Sequence, residues 1–136
     1  MKTKILLPVV LLAVAFAFAG CGKPEEEPAG PVDATLSVQE IVWHEQGSNT
    51  HDPVIYNPLE AGDVVFDDRD GTIEIESVTE DLIVLSVDGC LIEKNSDGTI
   101  NLRADPIEEI ELEPGESIEL ASQTMDAGIT LIISYE

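Results

Sequence analysis

Apolar and polar residues alternate with a period of two along much of this chain, a rhythm that turns one face of a strand to a core and the other to water. In Thr72-Ile73-Glu74-Ile75-Glu76 the isoleucines share one face and the glutamates the other. Residues 99–103, 117–120 and 129–135 repeat the pattern. Leu82-Ile83-Val84-Leu85-Ser86-Val87 is apolar on both faces, which predicts a central strand covered on both sides. In residues 35–43 the apolar phase shifts between Val38 and Ile41, and this predicts a bulge near Gln39 and Glu40.

Turn residues separate these runs at short intervals. Asp70-Gly71 and Asp97-Gly98 stand where a glycine accepts the positive φ of a hairpin, which makes the related stretches 70–75 and 97–102 hairpin exits. Glu113-Pro114-Gly115-Glu116 suits a type II turn, proline setting φ at its second position and glycine taking the left-handed third. No segment sustains a helical period. The fold class expected is all-β: an antiparallel β-sandwich, immunoglobulin-like, of about seven to nine short strands. The cysteine–tryptophan–cysteine core of antibody domains is lacking, so the likeness is one of architecture, and such architectures host many functions.

The N-terminus has a different character. A basic start, Met1-Lys2-Thr3-Lys4, leads into an apolar run of 15 residues from Ile5 to Ala19. A bilayer span needs about 20, so the run reads as the apolar part of a secretory signal. Its end, Phe18-Ala19-Gly20-Cys21, resembles the lipobox of bacterial lipoproteins, with small residues at −2 and −1 and cysteine at +1; phenylalanine stands at −3 where leucine is usual. The resemblance implies that residues 1–20 are removed and that Cys21 is acylated and becomes the N-terminus. Gly22, rather than aspartate, follows it. That implies the outer membrane if the cell has one, and otherwise the cell surface. The alternative is an ordinary secretory signal that happens to end near a cysteine.

Residues 22–32 are proline, glycine and acid with almost nothing to bury, so 21–32 reads as a lipidated cysteine and its extended linker. At about 3.1 Å per residue the linker reaches roughly 30 Å. Residues 33–136 then form one domain. After removal of the signal, all 28 acids face four bases (Lys23, Arg69, Lys94 and Arg103), a balance of −24. Binding to nucleic acid depends on cations that neutralise phosphates, so nucleic acid is not an expected partner. Anionic lipid is repelled too, which leaves the acyl anchor as the membrane attachment. Cys90, the other cysteine, sits beside Leu91 and Ile92 and reads as a small core residue.

Two kinds of candidate site stand out. Asp68 and Asp70 precede Gly71, and Asn95 and Asp97 precede Gly98, with oxygen ligands at every second residue. Calcium takes six to eight such oxygens, so these four are candidate metal ligands for Ca²⁺, ahead of Zn²⁺, which His44 and His51 with their neighbouring carboxylates would suit. Neither stretch is an EF-hand: the twelfth position is Ser77 in one and Ala104 in the other. Hairpin turns on an acidic surface account for both without a metal. The second candidate is a surface. Residues 44–63 show little alternation outside 54–56, and connections that long are often functional. Trp43, His44, His51 and Tyr56 there, with Met125 in the connection before the last strand, are candidate interaction residues. Their alternative role is to plug the end of the core.

Catalytic motifs are lacking: there is no G-x-S-x-G elbow, phosphate-binding glycine loop or cysteine–histidine pair. A cupredoxin-like copper site would need a histidine after Cys90, and none follows. The reading is therefore not an enzyme and no resident cofactor, but a lipid-anchored, extracytoplasmic β-sandwich that binds an unknown protein or small ligand through its end loops. A metal-binding envelope module is the alternative.

Overall fold

A computed structural model describes residues 30–136. The signal segment, Cys21 and nearly all of the linker lie outside the described residues. Ten strands follow one another: β1 (Leu36–His44), β2 (Gly47–Thr50), β3 (Val54–Tyr56), β4 (Val64–Asp68), β5 (Gly71–Val78), β6 (Ile83–Gly89), β7 (Leu91–Glu93), β8 (Glu109–Leu112), β9 (Ser117–Ser122) and β10 (Ala127–Tyr135). They form two antiparallel sheets and, among the described residues, no helix. One sheet runs β2-β1-β10-β9-β7, with β3 also on β1; the other runs β4-β5-β6-β8. Among the described residues the first pairing is at Val32, which bridges Leu59.

The alternation explains how the sheets face each other. Ile73 and Ile75 of β5 and Ile83 and Leu85 of β6 meet Leu36 of β1 and Leu131 and Ile133 of β10 in one buried cluster. Glu74 and Glu76, one residue out of phase, remain exposed. Each fully buried aliphatic side chain contributes about 1.5–3 kcal/mol, and a one-residue slip would turn a whole strand's set to water. The pattern thus holds the register.

Local expectations are corrected at several points. β1 pairs with β10 without interruption from Leu36 to His44, so there is no bulge at Gln39 and Glu40. What changes there is the neighbour on the other side: β3 lies along residues 36–38 and β2 along 41–44. Ile41 and Trp43 accordingly fall on the sheet's outer face. One bulge lies on β4, between Val64 and Phe66, and another on β5, between Ile75 and Ser77. The second of these brings Val78 inward after Ile73 and Ile75.

β6 lies inside its sheet, but only Ile83, Leu85 and Val87 are buried; Val84 and Ser86 are half-buried. Residues 99–103 form no strand. Asp97 accepts bonds from the Thr99 amide at 3.0 Å and hydroxyl at 2.6 Å, and Asn101 Oδ1 accepts the Arg103 amide at 3.0 Å. Side chains that bond their own backbone in this way compete with a strand ladder. Residues 44–63, expected to be irregular, supply β2 and β3 instead. That is why the strand count reaches ten.

The turn at 113–116 closes as expected, with the Glu116 amide on Glu113 O at 3.0 Å and Gly115 at φ 92°. Gly71 does not take a positive φ. It pairs with Gly89, and a Cβ on Gly89 would lie 2.5 Å from both Asp70 O and Gly71 Cα. Both positions need glycine because two backbones meet there.

Candidate functional site

The antiparallel register sorts the turns into two ends. His44 lies opposite Ala127 and Trp43 opposite Gly128, so the β1–β2 turn and the β9–β10 loop share one end. The β4–β5 turn joins them: Ser122 Oγ donates to Asp70 Oδ2 at 3.3 Å. The crossing from β6 to β7 is held to the same turn by the Cys90 amide, which donates to Asp70 O at 3.0 Å. At the opposite end the Gly115 amide donates to Tyr135 O at 2.7 Å, and Thr35 and Glu136 exchange backbone bonds. The chain enters the fold at that opposite end, beside Leu59.

Between β1, β10 and the β4–β5 turn lies a cleft of about 290 Å³, lined by Val42, Trp43, His44, Arg69, Asp70 and Gly128 among others. Its base is a tied loop. Ser122, only 2% exposed, accepts the Ile129 amide on Oγ at 2.9 Å and closes the β9–β10 connection. A Cβ on Gly128 would come within 2.8 Å of Ser122 Cβ and Thr124 Cγ2, so the backbone is packed against those side chains. Met125 stands at the tip of the loop, 78% exposed. The cleft offers an imidazole, a guanidinium and carboxylates around an aliphatic patch, with Trp43 at its border on the outer face of β1, which suits recognition of a mixed polar and apolar surface.

The interaction residues expected from sequence divide into two groups. Trp43, His44 and Met125 belong to this end. His51 and Tyr56 lie along the flank between β3 and β4. His51 Nδ1 is 3.2 Å from Glu40 Oε2, and Tyr56 donates its hydroxyl to Val65 O at 2.9 Å.

The four candidate metal ligands lie on different loops. Asp68 and Asp70 belong to the end just described, Asp68 bonded to the Arg69 amide and Asp70 to Ser122. Asn95 and Asp97 lie beyond β7, both bonded to Thr99. The Thr99 hydroxyl and amide hold the Asp97 carboxyl below its ordinary range. Among the described residues no three histidine, cysteine, aspartate or glutamate side chains gather to hold an ion.

Sequence reasoning did not bring Arg69 together with the loop from Ser122 to Gly128, and it took Cys90 for a core residue. Cys90 is exposed, because it lies at the crossing between sheets and its two backbone groups are held by Asp70 and Gln123. A signal existed: residues 44 and 127 bound the first and last long alternating runs, so pairing those runs antiparallel brings their loops together. Comparison with known proteins finds no family model, no curated protein and no solved structure that matches this chain.

Proposed function

We propose that this protein is a lipid-anchored, extracytoplasmic, non-catalytic binding module that engages a protein or small ligand through the end carrying the β1–β2 turn and the β9–β10 loop. The observation that supports this reading is the register of β1 and β10. It gathers loops from both sheets at the end opposite the chain's entry at Val32. A tether running from Cys21 to Val32 would therefore present that end away from the membrane. Nine residues of β1 at about 3.3 Å each separate the two ends by roughly 30 Å. Met125 brings an adaptable apolar side chain, and Trp43 and Arg69 are of the types that dominate binding energies.

Site-specific photocrosslinking in cells tests this. A photoreactive residue at position 46 or 125 should give a discrete adduct, and one at position 113, in the opposite turn, should not. Adducts of equal yield at all three positions, or at position 113 alone, would reject the end-loop reading. Cys21→Ser should release the protein from the membrane fraction, and retention would reject the anchor.

A further inference from the structure

Along one flank, between β3 and β4, runs a second groove of about 300 Å³ with an apolar floor and an acidic rim. Val38 and Val65, 4% and 3% exposed, form the floor, and the Tyr56 hydroxyl spans it to Val65 O. Glu40, Asp52, Asp67 and Asp68 stand around it, and no lysine or arginine lines it. Both flanking strands are edges: among the described residues β3 pairs only with β1, and β4 only with β5. Unpaired edges present rows of free amides and carbonyls that can template another strand. They also carry exposed aliphatics. Of the five large apolar side chains most open to water among the described residues, Val54, Ile55 and Val64 belong to β3 and β4.

We infer that this flank receives an extended segment of a cationic partner protein, its apolar side chains at alternate positions over the floor and its lysines or arginines at the rim. Charge complementarity selects the occupant. A chain with 28 acids repels a second copy of itself and repels polyanions. Edge geometry selects the conformation: an added strand gains main-chain bonds from the edge and specificity from alternate side chains. This inference stands apart from the end-loop reading, although Glu40 and Asp68 border both clefts.

The test titrates the full chain, in detergent, into a fluorescent peptide of about ten residues that alternates lysine with valine, and follows anisotropy. The peptide should bind, and a glutamate–valine counterpart should not. Asp52→Lys with Asp67→Lys should weaken binding at least about tenfold, since like charges would then face the peptide. Val54→Ser should weaken it as well. Glu45→Lys with Asp126→Lys, an equal change of charge at the end loops, should leave it intact. All four acids are exposed, so melting temperature serves to verify the fold of each variant. Equal losses in both double variants, or equal binding of a lysine–serine peptide, would reduce the effect to net charge and overturn the inference. Failure of the lysine–valine peptide to bind a normally melting protein would also overturn it. A loss confined to Glu45→Lys with Asp126→Lys would overturn it while supporting the end cleft.

Discussion

Tyr135 closes the sandwich where β10 ends. Its side chain is buried, and its hydroxyl donates to Thr79 O at 2.5 Å, from one sheet to the turn after β5 in the other. Burial raises this hydroxyl's pKa above the ordinary 10.0, and the charges of Asp81 and Glu80 push it the same way. A group that holds its proton more tightly in the folded state contributes stability that is complete below the unfolded pKa. That contribution is lost as pH rises through the folded one. Denaturant titrations should therefore show stability falling as pH rises beyond about 10, the ordinary pKa of tyrosine. Tyr135→Phe should flatten that fall, and at neutral pH it should cost about 1 kcal/mol for the lost hydrogen bond. An unchanged alkaline slope in Tyr135→Phe would place the responsible group elsewhere.

Residues 94–108 show where alternation misleads. Thr99-Ile100-Asn101-Leu102-Arg103 has the rhythm of a strand but sits among Asn95, Asp97 and Thr99, which bond one another instead. The connection is then clamped from outside, because Gln123 Nε2 donates to Leu102 O at 2.9 Å and Ala104 O at 2.7 Å. Gln123→Ala should speed amide exchange across residues 99–104 and lower global stability by about 1 kcal/mol, with protection in β5 and β6 retained. Unaltered exchange there would show that Gln123 is not the clamp. β5, β6, β9 and β10 were legible because alternation records the solvation of single side chains, which is a local property. β2 was not legible, since all four of its residues are exposed and no apolar phase marks it. The bulge rule held but its place did not. Ile75 and Val78 need an extra residue to face the same core, whereas Ile41 is tolerated on an outer face. The residue types of the candidate site were legible, but their grouping was not. It depends on which strands pair, and His44 opposite Ala127 is a contact between the two extremes of the fold.

If Cys21 is acylated, as proposed, the anchor and the register together orient the domain. On that proposal anionic lipid would repel the 28 acids, and the reach of the domain would follow from the length of the linker and of the strands. The turn at 113–116 and the Val32–Leu59 bridge lie at the entry end, while Met125 and the β1–β2 turn lie at the other. A reporter on Met125→Cys should therefore sit farther from the bilayer than one on Glu113→Cys, both in a Cys90→Ser background. Energy transfer to an acceptor in vesicles carrying the acylated protein should be weaker from position 125, by the transfer expected for an added separation of about 30 Å. If repulsion from anionic lipid holds the domain upright, higher salt should narrow the gap, because screening weakens that repulsion. Equal transfer from both positions at low salt would mean that the domain lies flat, with the flank groove and the end cleft equally near the lipid. A stronger signal from position 125 would put the end loops against the membrane and leave the flank as the surface open to a partner.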